Sequence, residues 1–260
     1  MKQLILCFIT LTVLFITSCT RYYYKPNPVN VPLFTKGGQA HVNIFSLSGS
    51  ENEHGYNFTD LQACVSPVNH IGIIANYNTY SYTTTQPDFA AGKVAAKSSF
   101  AEVGVGAYHA TGGEKHKMVL DIYAGGGSGN FNSDVDMRMK RLFIQPGIGL
   151  RSSYFDIAFA TRISRITYFG LDANGRDDSY LVNKGLIDIV GNEKIDGSSY
   201  TFFEPCITMR GGYKYAKLQL QLVLSTPMSA ITWNYNPVRA SAGLYITVEE
   251  IIAAIRKANR

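Results

Sequence analysis

The sequence predicts an all-β fold, a single closed antiparallel up-and-down β-barrel of about ten strands with a short C-terminal helix. Three observations carry that expectation. Successive stretches alternate apolar and polar side chains with a period of two, the pattern of strands with two different faces. The connections between them are short and long in turn, which is the habit of outer-membrane barrels. One face of the alternation is nearly all aliphatic, whereas the other collects the charges. The clearest case is Arg141–Ser164, RLFIQPGIGLRSSYFDIAFATRIS. Leu142, Ile144, Pro146, Ile148 and Leu150 fall on one face of its first arm, and Phe143, Gln145, Gly147, Gly149 and Arg151 on the other. After a tight turn, Phe155, Ile157, Phe159, Thr161 and Ile163 alternate with Tyr154, Asp156, Ala158, Ala160 and Arg162. Each arm reaches the roughly 9–11 residues that a tilted strand needs to cross a bilayer.

A chain of 260 residues is enough for one large all-β domain. Its 17 Tyr, 14 Phe and 24 Gly, with charged residues at only 17%, suit many strands and turns. The net charge of +5 is spread singly, with no dense run of Lys and Arg, so no nucleic-acid partner is expected.

Taken in order, the chain opens on Met1-Lys2 and an apolar core from Leu4 to Ile16, followed by Ile16-Thr17-Ser18-Cys19. A positive start, a short apolar stretch and small residues before a cut define a secretory signal. The apolar run is shorter than the roughly 20 residues of a spanning helix. The tetrad ending in Cys19 resembles the lipobox of bacterial lipoproteins, and that resemblance implies a diacylated Cys19 at the mature N-terminus. Acyl chains anchor by burying methylenes at about 0.8 kcal/mol each. Residues 1–18 therefore read as a lipoprotein signal peptide and residues 19–37 as a lipidated, Pro-rich linker. Pro26, Pro28 and Pro32 make that linker extended rather than a ladder strand, and Tyr22, Tyr23 and Tyr24 suit either a headgroup-level position or surface coil. Cys7 leaves with the signal, and Cys64 and Cys206 point inward from distant strands. They are too far apart for the roughly 7 Å that a disulfide allows, so two free thiols are expected.

Residues 38–248 form the expected barrel. Its strands are read at about Gln39–Leu47, Tyr56–Val65, His70–Tyr80, Ser98–His109 and Lys117–Gly127, then the hairpin above, then Tyr200–Arg210, Tyr215–Thr226 and Val238–Val248. Leu61, Ala63 and Val65, or Leu218, Leu220 and Leu222, are typical of the aliphatic face. Ser66-Pro67-Val68-Asn69, Thr111–Lys115 and Gly211-Gly212 are short turns. Ser81–Lys97, Ser128–Asp136, Thr167–Ser199 and Pro227–Pro237 are long connections, and Ser179–Val190 is expected as a short helix. Residues 249–260 carry Glu249 and Glu250 at the start and Arg256, Lys257 and Arg260 at the end, which suits the dipole of a helix. Both termini of such a barrel are expected on the short-turn side, where a Cys19 lipid would meet the inner leaflet.

The inner face is expected to hold an interior polar network of Glu102, Asp121, Arg151, Asp156, Arg162, Glu204, Arg210 and Arg239, with Lys217 beside it. Buried charge is costly unless paired, so these residues are expected to pair with one another. A soluble small barrel shows the reverse arrangement, apolar inside and polar outside; a soluble periplasmic barrel or sandwich is the alternative architecture.

Other candidates are weak. His54 with Glu51, Glu53 and Asp60 is the one cluster that suggests a hydrolase near the loops. Gly104-Val105-Gly106 and Gly125-Gly126-Gly127 do not open helices and so are not phosphate loops; inward glycine makes room in a wall. Asp172, Asp177 and Asp178 lack the spacing of a calcium loop, and no metal or cofactor is expected. Tyr77, Tyr80, Tyr82, Tyr168, Phe169, Tyr200 and Phe203 fall near one rim, as an aromatic girdle would.

The stretches NPVNVPLF (Asn27–Phe34) and VSPVNHIGIIANY (Val65–Tyr77) resemble an uncharacterised group of outer-membrane β-barrel-like lipoproteins of Gram-negative bacteria. The resemblance implies the same architecture and brings no catalytic residues with it. The expected role is thus a lipid-anchored outer-membrane barrel, structural or surface-contacting. Its partners would be membrane lipid and an envelope or external protein. A hydrolase acting on lipid or peptide, or a narrow gated channel, are the alternatives.

Overall fold

The structure, a computed structural model, describes residues 22–51, 54–83, 94–113, 115–188, 194–213 and 215–258. Residues 1–18, read as a signal peptide, and Cys19 and Glu53 lie outside the described residues. Among the described residues eleven strands and two helices follow in order: β1 (Gln39–Glu51), β2 (His54–Val68), β3 (Ile71–Thr83), β4 (Val94–Gly112), β5 (His116–Asn132), β6 (Asp136–Ser152), β7 (Phe155–Asp172), α1 (Asp178–Asn183), β8 (Ser199–Tyr213), β9 (Ala216–Leu224), β10 (Thr226–Pro227), β11 (Val238–Thr247) and α2 (Val248–Ala258). Consecutive strands pair antiparallel from β1 to β9, β9 pairs with β11, and β11 returns to β1. This closes a ten-strand barrel, with the two-residue β10 added on β8.

The strands form where the period-two pattern lies, and most are longer than the alternation marks. β4 and β7 run for 19 and 18 residues. The stretch read as the loop Ser128–Asp136 is mostly strand, because β5 continues to Asn132 and β6 starts at Asp136. The alternation of loop lengths is therefore weaker than expected. What distinguishes the two ends is how far the strands themselves extend. At one end the turns after β2, β4, β6 and β8 are tight, and His70 takes a left-handed φ of 69° in the first of them. At the other end, β4–β7 carry polar outward residues such as Ser128, Asn130, Arg138 and Lys140 before their connections begin. The helix expected over Ser179–Val190 spans Asp178–Asn183, with Asp177 as its N-cap.

Within the wall, side chains sort by parity. Leu218, Leu220, Ile148 and Leu150 are exposed on the outside, and Arg162, Arg210 and Glu204 are buried inside. The interior is nonetheless not ionic throughout. One apolar cluster, including Val29, Val31, Leu33, Phe34, Ile74, Tyr123 and Phe143, fills the lumen; a second, including Tyr23, Leu181, Leu186 and Trp233, caps the long-loop mouth.

The segment before β1 supplies much of both clusters. Residues 22–36 are extended, as their prolines require, but they do not lie outside the barrel as a linker. They thread its lumen from one end to the other. Tyr23 N–H donates to the Asn234 carbonyl at 2.9 Å and its hydroxyl to Asp134 at 2.8 Å, both at the long-loop end. Phe34 stacks on His41 at the short-turn end, with ring centroids 5.0 Å apart. Tyr23 and Tyr24 are therefore buried in the lumen, at neither headgroup level nor in surface coil. The two ends of the barrel wall, the start of β1 and the end of β11, sit together on the short-turn side as expected. The chain upstream of β1, however, has crossed back through the barrel.

Glycines on the inner face make room for this plug. A Cβ at Gly149 would stand 2.6 Å from Leu33 Cδ2, and one at Gly72 3.1 Å from the Phe34 ring. Cys64 and Cys206 are buried free thiols.

Candidate functional site: the plugged lumen

The extended plug cannot satisfy its own backbone, and beyond one bridge between Tyr24 and Tyr235 no strand pairs with its described residues. The barrel wall supplies the donors instead. Every carbonyl from Pro26 to Leu33 accepts a hydrogen bond from an inward side chain. Arg239 donates to Pro26 at 3.4 Å, Arg162 to Asn27 at 3.1 Å, Gln62 to Pro28 at 3.0 Å and Gln221 to Val29 at 2.8 Å. Gln145 donates to Asn30 at 2.8 Å, Arg210 to Val31 at 2.5 Å, Tyr245 to Pro32 at 3.1 Å and Arg151 to Leu33 at 3.1 Å. The prolines explain why a donor-rich sleeve suffices. They present no N–H in need of an acceptor, so the segment's demand is mostly for donors. Val29 N–H finds its acceptor on Gln221, which clamps that residue on both sides.

Two ionic clusters hold the sleeve in shape. Nearer the long loops, Arg162 donates to Glu204 at 2.7 Å and to Glu102 at 3.4 Å, and Arg141 to Glu102 at 3.1 Å. Tyr24 joins this cluster by donating to Glu204 while accepting from Arg141 at 3.2 Å. Asn76 Nδ2 donates to Glu102 at 2.7 Å. Nearer the short turns, Lys217 donates to Asp156 at 2.7 Å and Arg210 Nη1 lies 4.0 Å from the same carboxylate. Charge-assisted bonds of this kind are the stronger class, and removing one partner strands the other in a dry interior.

At the short-turn mouth, Glu249 of α2 reaches back to the barrel. It accepts from the Ala40 N–H at 3.1 Å, pairs with His41 Nε2 at 3.2 Å and stands 3.6 Å from Arg151. Burial raises its pKa, but the bond and charge of His41 and the backbone N–H groups outweigh that and hold the carboxyl down at about 2.

All eight residues read as the interior network point into the lumen, yet they do not pair only among themselves. Arg151, Arg162, Arg210 and Arg239 spend donors on the plug. Asp121 stands apart, and its Oδ2 has no hydrogen-bond partner among the described residues. Sequence reasoning missed Arg141, Asp60, Tyr24 and the whole plug as parts of the site. Asp60 is buried in the lumen wall, and the side chains of Glu51 and His54 lie outside the described ones. In the long connection, Asp177 caps α1 through Tyr180 N–H at 2.9 Å and Asp172 accepts from Asn174 N–H at 2.9 Å. These two carboxylates thus serve the local backbone. The aromatic rim divides: Tyr77 and Phe203 are exposed on the outer wall, while Tyr168 and Tyr200 pack around Trp233.

A cavity of about 40 Å³ remains beside Tyr22, Tyr80 and Arg239 near the long-loop mouth. That is room for a water or two. No protein-family model matches the chain, and no curated protein matches it.

Proposed function

We propose that this protein is a lipid-anchored β-barrel of the bacterial outer membrane, with a structural or surface-contacting role and a lumen sealed by its own N-terminal segment. The observation that carries the reading is the inversion of the sheet: aliphatic side chains face outward while buried Arg, Glu and Gln face inward. On β6 the aliphatic face runs from Leu142 to Leu150. At about 3.4 Å per residue and a tilt of about 40°, that stretch rises roughly 21 Å, close to the apolar band of an outer-membrane barrel. The belt begins at the tight turns, and the polar strand extensions lie on the far side of it. This suits a barrel whose short turns sit flush with the periplasmic interface.

The path of the plug moves the proposed anchor. Tyr22 lies at the long-loop mouth, so the described chain enters the barrel from that side. On this reading the proposed acyl anchor belongs with the long-loop side of the barrel rather than the periplasmic side. The filled lumen counts against an open channel: conduction would require the plug to leave. Membrane fractionation with protease shaving tests the placement. Retention through an alkaline carbonate wash, with cleavage of intact cells between Asp172 and Ser199, is the expected result. Release by removal of the acyl chains alone would overturn it.

A further inference from the structure

The outer wall carries one depression that neither the belt nor the plug explains. Across β4, β5, β6 and β7, register places Val103, Gly126, Leu142 and Arg165 in one row, and Ala101, Ser128, Lys140 and Thr167 in the next row toward the long loops. Gly126 leaves a gap between its neighbours, and Val103 and Leu142 are the most exposed aliphatic side chains of the wall, at 63% and 68%. The depression measures about 750 Å³. It lies where the apolar belt gives way to polar strand. The side chains that border it on that edge are cationic: Lys140 and Arg165, with Arg138 two residues beyond Lys140. No carboxylate pairs with these three among the described residues. Lys140 and Arg138 instead flank the Phe169 ring, 5.1 and 5.2 Å from its centroid, which steadies both at the wall.

We infer that this depression is a binding site for a membrane phospholipid whose headgroup carries net negative charge. Its phosphate meets Lys140 and Arg165, and one acyl chain lies over Gly126 between Val103 and Leu142. Charge complementarity selects an anion. The unbroken aliphatic belt below selects an anion with a long apolar tail rather than a soluble phosphate or an acidic protein. Cations at the headgroup level draw anionic lipids individually, and two converging on one phosphate concentrate that attraction. The small residues Ala101, Gly126 and Ser128 supply the space, since any larger side chain there would stand where the acyl chain passes.

The inference rests on the bilayer placement proposed above, and its test separates the two. The full-length protein in mild detergent is titrated with dioleoyl phosphatidic acid, and with dioleoyl phosphatidylcholine as the uncharged-net control, and retained lipid is read by native mass spectrometry. Retention of one phosphatidic acid, weakened about tenfold or more in Lys140→Gln/Arg165→Gln, is expected from the loss of two interfacial cations. Ser128→Trp, which fills the depression without changing charge, should weaken it likewise. Heat-modifiable electrophoretic mobility confirms that each variant is a closed barrel. Equal retention by the wild type and both folded variants, or equal retention of the two lipids, overturns the site. If the wild type also washes out of membranes with carbonate, the bilayer placement falls with it; if it stays, only the lipid site falls.

Discussion

The Arg162 guanidinium donates at 3.1 Å to the carbonyl of Asn27, a residue 135 positions earlier that lies inside the barrel rather than in its wall. The same side chain binds Glu204 at 2.7 Å. One arginine thus joins the wall's charge network to the backbone of the plug, and neither is complete without the other.

Arg162→Ala should therefore be far more damaging than a surface change. It leaves Glu204 and part of Glu102 buried without a cation, a loss of about 3–5 kcal/mol for a broken buried pair. Chemical unfolding of the refolded barrel, followed by Trp233 fluorescence, reads it. Adding Glu204→Gln should recover part of the loss by removing the stranded charge. A double variant as unstable as Arg162→Ala alone would mean that the pair is incidental.

Emptying the sleeve tests the plug directly. A chain lacking residues 22–36 loses the acceptors of eight wall donors. Water must then solvate those donors. The expected outcome in planar bilayers is conductance that the intact protein lacks, closed again by adding a synthetic peptide of residues 22–36. A silent truncated barrel that still shows heat-modifiable mobility would show that side chains alone seal the lumen.

Gly149 measures how closely plug and wall fit. An added Cβ would stand 2.6 Å from Leu33 and 2.8 Å from Ala158 Cβ and the Ile157 carbonyl. Overpacking costs about 1–3 kcal/mol, so Gly149→Ala should lower stability by that order. At Gly211 an added Cβ meets nothing within 4 Å, and Gly211→Ala should change little. Equal effects at both sites would argue that Leu33 does not occupy the lumen.

The tether at Glu249 has a pH signature. Its carboxyl is held at about 2 in the folded chain, below the roughly 4.3 of a free glutamate. A depressed acid stabilises the fold above its unfolded pKa and loses that contribution as pH falls through the folded one. Melting temperature should therefore drop between about pH 4.3 and 2 by more in the wild type than in Glu249→Gln. Parallel profiles would sever α2 from the stability of the mouth.

The wall was legible in the sequence and the plug was not, and the reason is physical. A strand announces itself by parity. Once one residue of β7 is placed, Arg162 and Asp156 must share the lumen face with Ala158 and Ala160. A polyproline-like segment makes no ladder and has no fixed face, so NPVNVPLF reads as an outside linker. The signal that pointed elsewhere lay in the wall. Arg151, Arg162, Arg210, Arg239, Gln62, Gln145 and Gln221 face inward together with fewer carboxylates. That excess of donors needs acceptors, and a proline-rich backbone offers carbonyls with few N–H groups. Strand extensions beyond the belt were missed because their outward residues are polar and so erase the contrast on which the alternation depends.

The decisive comparison is between lipid and water outside the wall. Ile148 is 44% exposed and sits on the outer face in register with Leu120 and Phe159, inside the aliphatic stretch of β6 and two residues from its short-turn end. If acyl chains surround it, Ile148→Arg must bury a charge inside the apolar band, at a cost between the roughly 0–1 kcal/mol of an interfacial site and the roughly 2–4 kcal/mol of the midplane in a transmembrane barrel. If water surrounds it, the same change is a surface substitution worth within about 0.5 kcal/mol, and it should improve solubility besides. Unfolding the two proteins from phospholipid vesicles and comparing free energies distinguishes these outcomes. Arg138, already outward on the same strand but beyond the belt, provides the internal control. Arg138→Ile should move stability little in either solvent, because the headgroup level tolerates both residues. A neutral Ile148→Arg would remove the bilayer from the account while leaving the plugged barrel intact.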